Sequence, residues 1–190
     1  MSLVLTISGL HGTGKSTYAQ RLAAKFGLRY FSAGRLFREL AKKRGLTLEE
    51  LSLEASKRDE LDRLVDEQTR IEAKKGTVVI DSLLGAWVTK DLANLKILLI
   101  APDDVRIKRI AHRDAVSIEE ARRETLYREE LERGRFKNFY DIDISNLSIY
   151  DLILNTGILS PEGNMKVLES FVEAYIKERR LGRDACGGSR

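Results

Sequence analysis

One join in this sequence constrains its fold more than any other: a strand that must turn into a helix through glycine. Residues 9 to 17 read Gly9-Leu10-His11-Gly12-Thr13-Gly14-Lys15-Ser16-Thr17. Just before them, Leu3 to Ile7 is an apolar run of strand length. Just after, Tyr18, Ala19, Leu22, Ala23 and Phe26 recur at helical spacing over Lys15 to Phe26. Gly9 to Ser16 fits the pattern G-x-x-x-x-G-K-S/T in the strand–loop–helix setting that the pattern requires. Glycines let successive backbone N–H groups turn inward and approach phosphate oxygens with no Cβ in the way. The start of the helix adds its positive end. Lys15 can lie along the β- and γ-phosphates, and the Ser16 hydroxyl can ligate Mg²⁺. These residues imply a nucleoside triphosphate site, and the rival reading is a glycine-rich turn that happens to match. His11 occupies a position free to vary, where a tolerated side chain competes with a catalytic one.

Four further strand candidates follow: Leu28 to Phe31, Val78 to Ile80, Ile97 to Ile100 and Ile149 to Leu154. Continuous aliphatic runs such as the second and third suit strands covered on both faces. The spacing predicts helices over Leu36 to Lys43, Leu48 to Ser56 and Leu61 to Ala73, with Thr47 and Glu50 forming a capping box for the middle one. Pro102 begins another, with Asp103 and Asp104 in its first turn, as the helix dipole prefers. A long charged helix spans Ser117 to Lys137, with Ser117 as cap and Glu120 three residues on, and a closing helix covers Pro161 to Arg180. Strands separated by helices imply parallel crossovers and a three-layer α/β sandwich. The helical block between Ser32 and Lys75 is too long for a simple crossover and reads as an inserted subdomain that closes over a substrate.

The chain has 190 residues, of which 43% are apolar and 33% charged, enough for one well-packed domain. The expected organisation is a single domain over residues 1–180: a core of 1–34, 76–111 and 139–180, an insertion at 35–75, a lid at 112–138, and a tail at 181–190. The net charge of +4 is a small excess over many charges of both signs. In the Arg-rich stretch from Arg106 to Lys137, Glu119, Glu120, Glu124, Glu129, Glu130 and Glu132 interleave with the arginines, which argues against a nucleic-acid partner. Cys186 is the only cysteine, and no run approaches a membrane span, so a cytoplasmic protein is expected. His112 has no partner at metal-ligand spacing.

For the group that receives the phosphate, the sequence offers residues that would gather where parallel strands end. Ser32 can cap the next helix or face a ligand. Arg38 is either a bidentate phosphate clamp or a surface arginine. Asp81 can hold a Mg²⁺-bound water or an acceptor, or simply end a turn. Arg109 and Arg113 share one helical face, as do Arg128 and Arg135, so several guanidinium groups could converge on a transferred phosphoryl.

The string Ser32-Ala-Gly-x-Leu-Phe-Arg38, the pairs Asp62-Arg63 and Asp66-x-Gln68, Gly85-x-Trp87 and Arg109-Ile-Ala-x-Arg113 resemble the archaeal type of cytidylate kinase. So do Arg123-Glu-Thr-Leu-x-Arg128-Glu129, Tyr140-x-Ile-Asp143 and Leu147-Ser-Ile-Tyr-Asp151-Leu-Ile-Leu-Asn155-Thr156. The matches lie in one consistent order over most of residues 3 to 160. The resemblance implies a P-loop kinase fold with five parallel strands, and an enzyme that uses ATP and Mg²⁺ to phosphorylate a nucleoside monophosphate, CMP or dCMP; a monomer is expected. It implies that Arg109 lies over the donor adenine, and that Lys15, Arg113, Arg128 and Arg135 bind the reacting phosphates. Ser32, Arg35, Arg38, Asp62, Asp81 and Asp151 would serve the acceptor, with Ser16 and Asp81 at the metal.

Two positions depart from the family pattern. Where the family usually reads Glu-Gly-Arg, this chain has Asp81-Ser82-Leu83, and the aspartate usual after Ser-Ala-Gly is Arg35. Leu83 removes a charged donor that is worth about 1.5–3 kcal/mol in such sites, and Arg35 offers a charge in its place. The alternatives are a kinase of another small acceptor, or a nucleotide-binding ATPase that assists RNA or ribosome assembly.

Overall fold

The computed structural model describes residues 2–187, and side chains as far as residue 179. The first strand, β1 (Val4–Ser8), is buried along its whole length and forms the middle of a five-stranded sheet. Around it lie β2 (Arg29–Ser32), β3 (Val78–Asp81), β4 (Leu95–Ile100) and β5 (Leu152–Asn155), in the order β2-β3-β1-β4-β5. Every pairing is parallel. Ile7 pairs with Asp81 and Asp81 with Ser32, so three strands finish level with one another at the edge where β1 enters the glycine-rich loop.

Helices cover both faces of this sheet. Ala73, from α4 (Glu60–Lys74), packs with Val4, Val78 and Ile80, and Gly85, which opens the short α5 (Gly85–Val88), sits against Thr6 and Ile80 on that same face. On the opposite face α1 (Lys15–Phe26) contacts β1, β2 and β3 and buries Tyr18, Ala19, Leu22 and Ala23. The three-layer α/β class is therefore as expected. The block between β2 and β3 holds α2 (Ala33–Arg44), α3 (Leu48–Ala55) and α4, with a small core of its own in Ala41, Leu51, Ala55 and Leu61. Thr47 and Glu50 form the expected capping box on α3. Beyond β4 come α6 (Asp103–Asp114) and α7 (Ile118–Tyr140), joined through Ile107, Ile110, Ala111 and Ala121.

The described residues divide into two compact units, one reaching Gly157 and one beginning at Ile158. The second carries α8 (Pro161–Gly187), whose first turn is closed by Ser160: its hydroxyl accepts from Gly163 N and its carbonyl from Asn164 N.

Several boundaries differ from expectation, each for a local reason. Helix α2 begins at Ala33 because the Ser32 hydroxyl accepts the Arg35 N–H at 3.2 Å, a cap that the apolar spacing does not reveal. Leu147–Ile149 forms a 3-10 turn held by Asn146, so β5 starts at Leu152 and not at Ile149. Helix α8 runs on to Gly187 in place of ending at Arg180, which makes residues 181–187 helical; the rest of the expected tail, 188–190, lies outside the described residues.

Candidate active site

The loop between β1 and α1 has the backbone that its spelling demands. Gly12 has φ +79, and a Cβ there would lie 2.5 Å from the Arg106 carbonyl oxygen. At Gly9 a Cβ would come within 2.2 Å of Leu99 O, so both positions require glycine for want of space as well as for conformation. The Lys15 ammonium donates to Leu10 O at 2.9 Å. Burial lowers its pKa, and the negative charges of Asp81, Glu132 and Glu129 oppose that shift.

Behind Lys15 lies a converging set of hydroxyls. Ser16 Oγ donates to Asp81 Oδ2 at 2.6 Å, Tyr30 Oη to the same atom at 2.9 Å, and Ser32 Oγ at 3.1 Å. Among the described residues no group of three or more His, Cys, Asp or Glu could hold a metal ion. Mg²⁺ at a triphosphate does not need such a cage, because it keeps several waters and takes further ligands from the phosphates. The Ser16 hydroxyl and the Asp81 carboxylate, two hard oxygen donors beside Lys15, fit that role.

His11 is gripped at three atoms. Its N–H donates to Glu129 at 3.1 Å, its carbonyl accepts from Arg106 at 2.8 Å, and its Nε2 meets Glu132 at 3.1 Å. Arg106 also bonds Glu129 at 2.7 Å and Asp103 at 2.6 Å; it is 2% exposed and Glu129 is 5% exposed. Burial disfavours the Glu132 carboxylate, but His11, Arg128 and Arg135 outweigh it and hold the group down at about 2. Helix α7 thus reaches the phosphate loop through two carboxylates.

The remaining expected residues fall into three groups. Arg109 lies against the loop, donating to Thr156 Oγ1 at 3.0 Å and Thr156 O at 2.8 Å, and Thr156 Oγ1 in turn donates to Thr13 O at 3.0 Å. Arg113 grips Asp114 at 2.6 Å and 2.7 Å; this bond first, with help from the charges of Arg128 and Arg38, lowers the Asp114 pKa. Arg135 bridges α7 to the insertion, donating to Asp62 Oδ2 at 2.9 Å and Ser52 O at 3.3 Å. Burial raises the Asp62 pKa against the pull of Arg135. It pushes neighbouring Asp66, whose carboxyl faces the Tyr140 hydroxyl, up to about 6.

Two expected acceptor residues are not brought in. Arg35 points outward to Glu39 at 3.6 Å with its side chain 62% exposed. Asp151 sits where β5 begins and accepts from Lys96 N at 2.7 Å, on the side where strands enter and not where they end. Its carboxylate ties two strands together. Sequence reading gave no site role to Tyr30, Arg106, Glu129, Glu132 or Asp114. Glu129 stood in the string Arg123-Glu-Thr-Leu-x-Arg128-Glu129, and Glu132 shares a helical face with Arg128, four residues before it, and Arg135, three after. An apolar cavity of about 470 Å³ lies behind the loop, lined by Gly9, Leu10, Leu83, Leu98, Arg133 and Tyr150 among others.

A parallel sheet whose central strand feeds a phosphate-shaped loop, with Lys15, Ser16 and Asp81 at its mouth and a helix bearing arginines against it, defines a P-loop phosphotransferase. The chain belongs to the cytidylate kinase-like family, whose model matches residues 4–158. It is 47% identical to a cytidylate kinase from Staphylothermus marinus over 176 residues, which cover 93% of this chain and 99% of that one. It is 44% identical to a cytidylate kinase from Pyrococcus horikoshii over 171 residues, 90% and 88% of the two chains. Among solved structures, shikimate kinase from Bacteroides thetaiotaomicron shares the fold with a TM-score of 0.60 at 16% identity, covering 91% of this chain and 99% of its own. A gluconokinase from Sinorhizobium meliloti does so with a TM-score of 0.58 at 13% identity, covering 100% and 98%.

Proposed function

We propose that this protein transfers the γ-phosphoryl group of ATP to CMP or dCMP, the acceptor class named by its cytidylate kinase relatives. The observation that carries the proposal is the glycine-rich loop itself, with the Lys15 ammonium folded onto Leu10 O and Ser16 bonded to Asp81 at its mouth. Transfer is in line and asks little covalent work of the protein. The loop amides from Gly9 to Thr17 and the Lys15 ammonium neutralise the donor phosphates, and Arg109 lies over the adenine. Ser16 and Asp81 would hold Mg²⁺, which would neutralise charge on the donor phosphates. Arg113, Arg128 and Arg135 stabilise charge on the moving phosphoryl.

On the acceptor side, Arg38, Ser32, Asp62 and Asp81 orient the monophosphate. That acceptor is already anionic and needs little deprotonation, so no general base is assigned. Residues 35–75 act as the acceptor-binding insertion and 112–138 as the lid that excludes water. The single cysteine suits a reducing, cytoplasmic setting, and no helix among the described residues is long and apolar enough to cross a membrane.

A panel of nucleoside monophosphates with Mg·ATP tests the proposal. CMP and dCMP are expected to turn over fastest. A stronger preference for another monophosphate, or steady ATP hydrolysis that RNA accelerates with no acceptor phosphorylated, would overturn it.

A further inference from the structure

Three hydroxyl groups share one oxygen of a carboxylate that is only 3% exposed: Ser16, Tyr30 and Ser32 all point at Asp81 Oδ2. The Ser16 hydroxyl can offer a lone pair to a metal and keep its proton on Asp81, but it then moves with the metal. The Asp81 carboxylate turns about a terminal torsion that is broad and soft. The donors that hold it independently of the metal are the pair on β2.

We propose that Tyr30 is a positioning residue which, with Ser32, holds the Asp81 carboxylate in the orientation that the metal site needs. The assignment rests on the donor-site reading above and goes beyond it, because that reading gives Tyr30 no part. Sheet register makes the contact possible. Ser32 pairs with Asp81 and Tyr30 with Val79, so Tyr30 and Ser32 fall on one face of β2, alongside the face of β3 that carries Asp81. The long tyrosine side chain spans the extra step along the strand, and its hydroxyl arrives at 2.9 Å.

The phenol O–H donates here and the carboxylate oxygen accepts. Ser32 alone would be a weaker anchor. Its oxygen also accepts the Arg35 N–H at the start of α2, and its bond to Asp81 is the longer at 3.1 Å. Tyr30 is therefore the stronger of the two donors on β2, acting on the metal through Asp81 as outer hydrogen-bond partners do at other metal sites.

The variant is Tyr30→Phe, which removes one oxygen and keeps the ring. Mn²⁺ binding to the enzyme·ADP complex is titrated by electron paramagnetic resonance with no acceptor present, and ADP binding is measured separately in EDTA. Mn²⁺ affinity is expected to fall about tenfold, with metal-free ADP affinity and melting temperature unchanged. In turnover, half-saturation for Mg²⁺ rises in parallel, and kcat recovers at high Mg²⁺. Equal Mn²⁺ affinity in variant and wild type would overturn the proposal, as would a matching loss of ADP affinity in EDTA. Absence of ADP binding by the wild type would remove the donor site itself, and the role of Tyr30 with it.

Discussion

The donor side and the acceptor side of this molecule are built by different means. The phosphate loop is made of backbone: its amides are contiguous in the chain, and its shape follows from glycines that leave no alternative, as at Gly12 with φ +79. The proposed acceptor side is made of side chains that meet across long stretches of sequence, as where Arg135 reaches back to Asp62. The pair of Arg106 on α6 with Glu129 on α7 joins that side to the loop. A backbone site is specified locally and tolerates change around it. A site assembled from buried ion pairs depends on every partner, because an unpaired buried charge is costly.

The largest effect should come from the donor side. Lys15→Met removes the one mobile cation of the loop and is expected to cut kcat about 10²–10³-fold while leaving the urea unfolding curve in place. Wild-type turnover in this variant would break the comparison at its root. Next is the ion pair that joins the sides: Arg106→Met strands Glu129 at 5% exposure and is expected to cost about 3–5 kcal/mol in urea unfolding. A loss under 1 kcal/mol would mean that α7 holds the loop by some other contact.

The smallest effect sharpens the acceptor side. Asp66 has its pKa raised from 3.8 to about 6, mainly by burial. A carboxyl with a raised folded pKa holds its proton more tightly in the native state. Its contribution is therefore full below about 3.8 and is lost as pH rises through about 6. Stability should decline over that window by about 1–2 kcal/mol after allowance for partial solvent access. Asp66→Asn should flatten the decline, and an unchanged profile would show that another group titrates.

What could be read from the sequence follows the same division. The β1–loop–α1 unit and the capping box at Thr47 and Glu50 are local, and reading along the chain finds them. The 3-10 turn at Leu147–Ile149 was hidden because Ile149 lies just ahead of the aliphatic run of β5, and the Asn146 side chain that holds the turn leaves no periodic trace. Helix α5, four residues long, is too short to show a period. Asp151 carried a plausible functional charge, yet its partner, the Lys96 N–H, is fixed by which strand lies next to β5. Tyr30 had no signal at all: its bond to Asp81 spans 51 residues and depends on β2 pairing with β3.

The grip on His11 has a bearing on turnover. Were α7 to swing away, the His11 amide would surrender its acceptor and the Arg106 guanidinium its buried counter-charge, keeping only Asp103, in the same movement. Displacing that helix and slackening the loop are then a single event.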